Sequence, residues 1–497
     1  MCIRDRYNTF TGVPDQTRVN MILADLHDAN TVYAAFNNHR SGDFKPYLVK
    51  STDKGKTWKS ITGDLPERGS VYCVRQDHVN KNLLFVGTEF GAYFSTNGGD
   101  NWTKISGLPT IAVLDLDIQK RENDLVAATF GRGFYVLDDY TPLRDLSAEL
   151  IEKEAHLFPI KDALLYVPSA PLGLSGTGSQ GANLWNAENP TFGAVFSLYL
   201  KDIDKSLKSE RQKAEKKLEK DKKTVDYPTF DRLKEEKLEG SSTLIWLIKD
   251  SEGNEIRKLT STPKKGITRV NWNLRMESTS PVRIRKPKPG RYSNPDDGFL
   301  VAPGTYTVEI YKTKDGAIDK LIEENSFEVV GLNNQTLLAE DQKAVMEFRI
   351  KVAELSRKVS GAGKLMEEYN EKLQLIEHAL KTYPNMELEL LSQVENLENN
   401  YFDLKVALRG DNIRSSHEFE TSPSISGRIG MIGYQLYSNT TGVTETMKKN
   451  KKTAEVAYEE FRLELDNFII KTKLLEQKLK DAGVPYIMGQ DEQWKED

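Results

Sequence analysis

Two acidic residues, Asp115 and Asp117, have the type and spacing that could perform acid–base chemistry. Asp115 lies in residues 111–116, an apolar stretch with the composition of a β-strand, and Asp117 follows two positions after Asp115 on the same predicted strand. Side chains two positions apart on a strand share a face and lie about 7 Å apart. Carboxylates at that separation could act as proton donor and base in glycoside hydrolysis. The polar lining of a channel would explain them as well, and the sequence shows no arginine or tyrosine partner that would complete a substrate site.

Two predicted turns carry residues that could hold a ligand. Glu89 and Phe90 precede a glycine in one turn, and Arg132 stands between two glycines in the other. Arg132 can reach outward with little steric hindrance, so it could contact an anion or a carbonyl; a solvated hairpin tip is the alternative. Charges of both signs beside an aromatic ring suit a peptide or a sugar. We therefore predict that Glu89, Phe90 and Arg132 contact the ligand.

Motifs for other kinds of chemistry are missing. Cys2 and Cys73 are the two cysteines, and the six histidines are dispersed, with no pair at the spacing of metal ligands. The sequence contains neither His-Glu-x-x-His nor Gly-x-Ser-x-Gly. The glycine-rich run 173–181 lacks the lysine and the following helix that a phosphate-binding loop needs. The sequence therefore predicts no metal and no cofactor.

An eight-residue pattern occurs twice and organises the first third of the chain. Residues 51–58 and 95–102 share Ser-Thr-(Asp/Asn)-x-Gly-x-(Thr/Asn)-Trp and start 44 positions apart (95 − 51). That period falls in the range of propeller blades. The acid or amide can hydrogen-bond the backbone of a turn, the glycine tolerates positive φ, and the tryptophan starts the next strand and packs between sheets. The residues with this predicted structural role are Ser51, Asp53, Gly55 and Trp58 in the first copy and Ser95, Asn97, Gly99 and Trp102 in the second.

This pattern resembles the Asp-box of BNR-type β-propellers, the family that includes sialidases and the sortilin/Vps10 propellers. In that family the box is a folding element outside the active site, so the resemblance implies that the box residues bind no ligand. Strand-like stretches recur around the boxes and predict about three blades over residues 7–140. Because three blades cannot close a ring of four to eight, we expect the chain to be the C-terminal part of a longer protein.

The strand order fixes which turns share an end of the predicted blades. The boxes connect the third and fourth strands, whereas residues 38–43, 89–91 and 130–133 connect the second and third. Successive turns of an antiparallel sheet lie at opposite ends. The second-to-third turns therefore lie with the blade-to-blade loops, which usually shape a propeller's ligand face.

After residue 140 the sequence predicts a linker, a second β-rich region and then a helical region. We predict a linker over 141–182, then a small β-sandwich over 183–331 with a charged helical insertion at 202–239. Residues 188–194, the strand around Trp272 and residues 302–307 resemble the immunoglobulin-like, FlgD-type module that follows propellers in bacterial Vps10/BNR proteins. From residue 334 to 483 apolar residues recur every three or four positions, which predicts an antiparallel helical bundle; 484–497 is a tail.

The predicted fold is thus multidomain: an all-β part, made of partial propeller blades and the sandwich, followed by an α-helical bundle. A net charge of −5 and an isoelectric point near 5.9 argue against a general nucleic-acid partner. No run approaches about 20 apolar residues, so no membrane span is predicted.

Two functions from different classes remain open. The chain could be a non-catalytic protein that binds a peptide, a protein or a glycan, or a sialidase-like glycoside hydrolase whose catalytic residues lie mostly upstream. We favour binding, because nothing in the sequence requires catalysis. The family resemblance implies an extracytoplasmic location. The sequence does not indicate an oligomeric state.

Overall fold

The computed structural model describes residues 10–168, 187–284, 297–332, 337–383 and 389–482. The chain divides into two compact units. The first comprises Met1–Pro159, Phe196–Tyr227 and Pro263–Val270, and the second comprises Ile160–Val195, Pro228–Thr262 and Asn271–Asp497. Cys2, the glycine-rich run 173–181 and the predicted tail 484–497 lie outside the described residues.

Three antiparallel sheets follow one another along the first 140 residues. The first contains β1 (Arg18–Ala24), β2 (Val32–Asn38), β3 (Asp43–Ser51) and β4 (Lys59–Ser60). The second contains β5 (Val71–Gln76), β6 (Leu84–Thr88), β7 (Gly91–Ser95) and β8 (Thr103–Lys104). The third contains β9 (Val113–Gln119), β10 (Asp124–Thr129) and β11 (Phe134–Leu137). Strands that are consecutive in sequence are neighbours in each sheet, as in a propeller blade. The predicted repeat of blade-like sheets is confirmed.

The second sheet shares a buried core with each of its neighbours. The core between the first and second sheets includes Tyr33, Leu48, Val74, Val86 and Trp102. The core between the second and third sheets includes Cys73, Phe85, Val113, Leu116 and Leu125. Burial raises the pKa of the Cys73 thiol to about 12, so this cysteine packs as a small apolar side chain.

The structure differs from the predicted linker over its first part, because residues 141–168 form short elements. These are α1 (Pro142–Asp145), α2 (Ala148–Glu152), β12 (Ala155–Leu157) and β13 (Ala163–Leu165). β12 pairs antiparallel with β14 (Ala194–Leu200), and Leu157 and Leu165 are buried. Strands of three residues leave too short an apolar pattern to recognise, and the partner of β12 lies some 40 positions downstream.

The middle of the chain forms two further sheets. After β14 come α3 (Leu207–Lys220), α4 (Phe230–Leu238), β15 (Thr243–Asp250), β16 (Glu255–Ser261), β17 (Gly266–Trp272), β18 (Gly304–Lys314) and β19 (Ala317–Gly331). One sheet has the order β12-β14-β17, and the other has the order β13-β19-β18-β15-β16. β13 runs parallel to β19, and the other pairs in that sheet are antiparallel. The immunoglobulin-like sandwich and the domain bounds stay predictions.

The C-terminal part is helical, as the sequence predicts. Its helices are α5 (Gln342–Thr382), α6 (Leu390–Arg409), α7 (Asn412–Ser416), α8 (Ile425–Tyr437) and α9 (Glu445–Asp481). The apolar residues at three- and four-residue spacing form one core that includes Leu355, Met366, Phe461, Leu465 and Phe468. Across the described residues, we find no helix with the length and apolar character needed to cross a membrane.

Candidate ligand-binding site

The first eight-residue turn, between β3 and β4, is held by its own side chains. The Ser51 hydroxyl accepts a hydrogen bond from the Gly55 amide at 2.8 Å, and Gly55 has a φ of +84°. Asp53 accepts hydrogen bonds from the Thr57 hydroxyl at 2.6 Å and the Thr57 amide at 2.8 Å. These bonds, with one from Ser51, lower the pKa of Asp53 to about 2. The Trp58 ring nitrogen donates to the Gly55 carbonyl at 3.0 Å.

The second turn, between β7 and β8, repeats this arrangement. The Ser95 hydroxyl accepts from the Gly99 amide at 2.9 Å, and Asn97 accepts from the Asn101 amide at 3.0 Å. Trp102 is buried in the core between the first two sheets. The serine and the acid or amide of each turn bond groups within their own turn.

Trp102 differs from Trp58, because its amide donates to Asp64 at 2.6 Å and its ring nitrogen donates to the Ile61 carbonyl at 3.0 Å. All of these bonds fit a structural role. That these turns bind no ligand stays a prediction.

Replacing Ser51 with alanine should lower the free energy of unfolding by about 1–2 kcal/mol, because the buried Gly55 amide would lose its acceptor. The matched variant is Asp53→Asn, which copies the residue at the equivalent position of the second turn and should change the melting temperature little. Urea denaturation and thermal melts of both variants check this. A larger loss for Asp53→Asn than for Ser51→Ala would contradict it.

At the end of the sheets where the two eight-residue turns lie, an aspartate links the first sheet to the second. The sequence analysis missed this residue. Asp25 follows β1 and accepts a hydrogen bond from the Tyr33 hydroxyl at 2.8 Å. It accepts another, also at 2.8 Å, from the side-chain amide of Gln76, at the end of β5. Burial would raise the pKa of Asp25, but hydrogen bonds from the His27 amide, Tyr33 and Gln76 outweigh it, and the pKa is lowered.

Asp77 links the second sheet to the segment that follows the third in the same way. Its carboxylate is fully buried and receives two hydrogen bonds from the Arg144 guanidinium, at 2.9 and 2.8 Å. The Tyr140 hydroxyl donates a third at 2.6 Å. Burial would raise the pKa of Asp77, but the bonds from Arg144, Tyr140 and the Asn80 amide lower it on balance. The sequence does carry a signal: Asp-x-x-x-x-Asn occurs at 25–30 and 77–82.

The opposite end of the second sheet holds two buried polar atoms without partners. Ser70 lies just before β5 and Glu89 just after β6, and the Glu89 amide donates to the Ser70 carbonyl at 3.1 Å. Among the described residues, neither the Ser70 hydroxyl nor the Glu89 Oε2 atom has a hydrogen-bond partner, although both are buried. Burial, with a contribution from the charge of Glu89, raises the pKa of Tyr72. A carboxylate oxygen without a donor is costly to bury and is uncommon in folded proteins.

The third sheet shows that the hydrogen bond between the Glu89 amide and the Ser70 carbonyl does not require polar side chains at these two positions. There the equivalent amide, that of Phe130, donates to the Ala112 carbonyl at 2.9 Å. The two positions are thus filled by an aromatic ring and a methyl group in the third sheet, and by a carboxylate and a hydroxyl in the second. The partnerless polar atoms are therefore specific to the second sheet and are not a requirement of the repeat.

Polar side chains of the first sheet that lie at this same end have hydrogen-bond partners, in contrast to those of Ser70 and Glu89. Asn20 on β1 donates to the Val71 carbonyl at 2.8 Å, and Asn37 on β2 donates to Asn20 at 3.2 Å. His39 is hydrogen-bonded to Asn37. These bonds fasten the first sheet to the second at the end where Glu89 lies.

The structure does not pair the predicted ligand-binding residues with one another. Phe90 is 42% exposed beside Glu89, and the position where a Cβ on Gly69 would lie is 3.5 Å from its ring. Arg132 lies at the exposed tip of the turn between β10 and β11. Within the described part of the chain, Glu89 and Arg132 form no ion pair. Their shared role in binding stays a prediction. Ser70 belongs to no motif and could not be singled out from the sequence.

Asp115 and Asp117 have an arginine neighbour that is not visible in the sequence. Arg75 on β5 reaches across to β9, with its Nη2 atom 3.0 Å from Asp115 and its Nε atom 3.9 Å from Asp117. The same guanidinium donates to the Met21 sulfur on β1 at 2.9 Å. Arg75 lies 40 positions before Asp115, so the contact exists only once the sheets have packed. The two acids thus belong to an ion-pair network that joins adjacent sheets.

The described residues contain no group of three or more His, Cys, Asp or Glu side chains positioned to hold a metal ion. No protein-family model matches the sequence, and the search of curated proteins finds no match. Solved structures with some similarity include YCF48 bound to D1 peptide, with 17% identity over 26% of this chain and 38% of that chain and a TM-score of 0.20.

Two GH74 enzymes are also similar. An ancestral GH74 enzyme has 14% identity over 61% of this chain and 33% of its own, with a TM-score of 0.22. The GH74 enzyme of Niastella koreensis has 13% identity over 65% of this chain and 39% of its own, also with a TM-score of 0.22. The chain thus spans between a third and two fifths of the lengths of these proteins.

Proposed function

We propose that the first unit is a non-catalytic binding module that holds a peptide by a basic side chain at the Glu89 carboxylate. The observation that carries this proposal is the buried Glu89 Oε2 atom, which has no hydrogen-bond donor among the described residues. A lysine or arginine side chain would supply both the donor and the opposite charge. A charge-assisted hydrogen bond of this kind is about twice as strong as a neutral one.

Three neighbouring features support a peptide as the ligand. The Ser70 hydroxyl, which has no partner among the described residues, can bond a backbone amide or carbonyl, and the exposed ring of Phe90 offers apolar contact beside it. Arg132, on the next sheet, can contact a carbonyl or an acidic side chain farther along the same peptide. A neutral glycan would supply hydroxyl donors but would leave the Glu89 charge uncompensated, which is why we favour a basic peptide.

The family assignment is part of the same proposal. Membership of the Asp-box, sortilin/Vps10-like propellers rests on the sequence resemblance and is supported by the three blade-like sheets. The extracytoplasmic location, the FlgD-type module and the predicted domain bounds follow from that resemblance. The Arg75 ion pairs with Asp115 and Asp117 favour a structural use of these acids over the hydrolase alternative.

Replacing Glu89 with glutamine should weaken the binding of a lysine-containing peptide by about 2–5 kcal/mol, because the pair of opposite charges is lost. Isothermal titration of the full chain with tetralysine, tetra-alanine and cellotetraose would measure this. Glu67→Gln is the matched control, since Glu67 is an exposed acid in the loop before Ser70. It should leave the affinity unchanged.

Several outcomes would contradict the proposal. Equal binding of tetralysine by the Glu89→Gln variant and by the wild type would remove Glu89 from the site. Preference for cellotetraose over tetralysine would favour a glycan. Turnover of aryl glycosides or sialosides that the Asp115→Asn change abolishes would establish the hydrolase instead.

A further inference from the structure

The second unit contains a cleft of about 840 Å³ between α5, α8 and residues that precede β18. One face of α5 lines it with Val352, Ser356, Val359 and Ser360, and residues 279–280 and 297–299 form another wall. The third wall is α8 and the residues just after it. A cleft of this size, with apolar walls and a few hydroxyl groups, has the dimensions of a small-molecule site.

Two buried arginines lie directly behind the cleft walls. Arg275 donates to the carbonyl oxygens of Gly298 and Tyr437 at 3.1 and 3.0 Å, and both of those residues line the cleft. Its guanidinium carbon is 3.9 Å from the centre of the Tyr437 ring. Arg349 donates to the Leu300 carbonyl at 2.9 Å and to the carbonyl of Asn439, which also lines the cleft.

Neither arginine has a carboxylate partner among the described residues. Arg275 is 7% exposed and Arg349 is 1% exposed, and the Arg349 Nε atom has no hydrogen-bond partner there. Among the described residues of the cleft wall, the one acid is Asp297, and the Arg257 Nη2 atom lies 3.9 Å from its Oδ1 atom. Burial, together with the charge of Arg275, lowers the pKa of Arg349 to about 10. The charge of Asp297 offsets part of the cost of burying Arg275. Among the described residues, Arg349 is acted on by burial and by the like charge of Arg275. Positive charge is thus in excess behind the cleft, an arrangement that proteins rarely leave unpaired.

The glycines of α8 give a second, independent indication. Gly430 and Gly433 line the cleft, and a Cβ atom at either position would meet nothing within 4 Å outside its own helix backbone. A glycine inside a helix is less stable than alanine, so internal packing does not explain them. They widen the cleft on the side of α8 and allow a ligand to approach the helix backbone.

We infer that this cleft binds an organic anion with a ring-sized apolar body. The two buried guanidinium groups carry the positive charge that attracts the anionic group. Some of their N–H groups donate to backbone carbonyls, and these bonds hold the two arginines in place. The hydroxyl groups of Ser356 and Ser360 can donate hydrogen bonds to the anion. The apolar body lies against the α5 and α8 faces, where the absent side chains of the two glycines leave room.

The test uses two fluorescent probes with the same ring system and different charge. They are 8-anilinonaphthalene-1-sulfonate, which is anionic, and N-phenyl-1-naphthylamine, which is neutral. The full chain should bind the anionic probe at least about tenfold more tightly. Gly433→Leu fills the cleft and should weaken that binding by about tenfold or more.

Gly361→Leu is the matched control, because Gly361 is also a helical glycine with nothing within 4 Å of its Cβ position and does not line the cleft. It should leave the affinity for the anionic probe unchanged. Circular dichroism would verify that both variants keep the wild-type fold. Equal affinity for the two probes would show that charge plays no part and would overturn the inference. Unchanged binding of the anionic probe by Gly433→Leu would overturn it as well.

Discussion

Replacing Asp77 with alanine is expected to lower the free energy of unfolding of the first unit by about 3–5 kcal/mol. The change removes a fully buried carboxylate and leaves the Arg144 guanidinium, which is 16% exposed, without its partner. The Tyr140 hydroxyl would lose its acceptor as well. Urea denaturation followed by circular dichroism would measure the loss. Tyr140→Phe is the matched control and should cost only about 1 kcal/mol, because it removes one hydrogen bond and no charge.

The contribution of Asp77 should also depend on pH. Its pKa in the folded chain lies below the ordinary value of 3.8, so folding favours the ionised carboxylate. The stabilisation is complete above pH 3.8 and is lost as the pH falls through the lower folded pKa. The difference in stability between the wild type and Asp77→Asn should therefore shrink as the pH is lowered through this range. A difference that stays constant down to pH 2, or that grows on acidification, would contradict this role.

Replacing Gly193 with alanine is expected to lower the stability of the second unit by more than about 3 kcal/mol. Gly193 has a φ of +119°, and an added Cβ would lie 2.8 Å from the Trp272 carbonyl carbon and closer still to its oxygen. The backbone strain and the clash act together. The structure can relieve the clash only by moving the backbone beside Trp272, a fully buried residue.

Gly266→Ala separates the two causes. Gly266 also has a positive φ, +86°, but nothing lies within 4 Å of its Cβ position. The loss there should be about 1 kcal/mol, the strain alone. Calorimetric melts of both variants would show whether the Gly193 change has the larger effect. Similar losses at the two positions would mean that the clash contributes nothing.

The sequence predicted the features that depend on neighbours within one turn. In the box turns, Ser51 and Asp53 bond groups no more than four positions away, so type and spacing were enough to predict their role. The heptad-like spacing of Phe461, Leu465 and Phe468 likewise predicted a buried helix face. Each of these patterns is repeated or periodic, which distinguishes it from chance.

Features that depend on packing between sheets could not be predicted in this way. Arg144 lies 67 positions from Asp77, and nothing in its own segment marks it as the partner. The same holds for Arg75 and Asp115. Glu89 was singled out for the chemistry of its turn, but its burial beside Ser70, 19 positions earlier (89 − 70), depends on where the preceding loop crosses the sheet.

The way the three blade-like sheets share their cores has a consequence for cooperativity. Of the two cores that are shared between sheets, the second sheet contributes buried residues to both, whereas the first and third contribute buried residues to one each. The other face of the first sheet packs against Phe10 and Val13, which precede β1. Coupling is therefore between nearest neighbours, as in a linear array. In such an array an outer member can open while the other two remain packed, but the central member cannot open without exposing both interfaces. The slowest amide hydrogen exchange of this region is thus assigned to β5, β6 and β7.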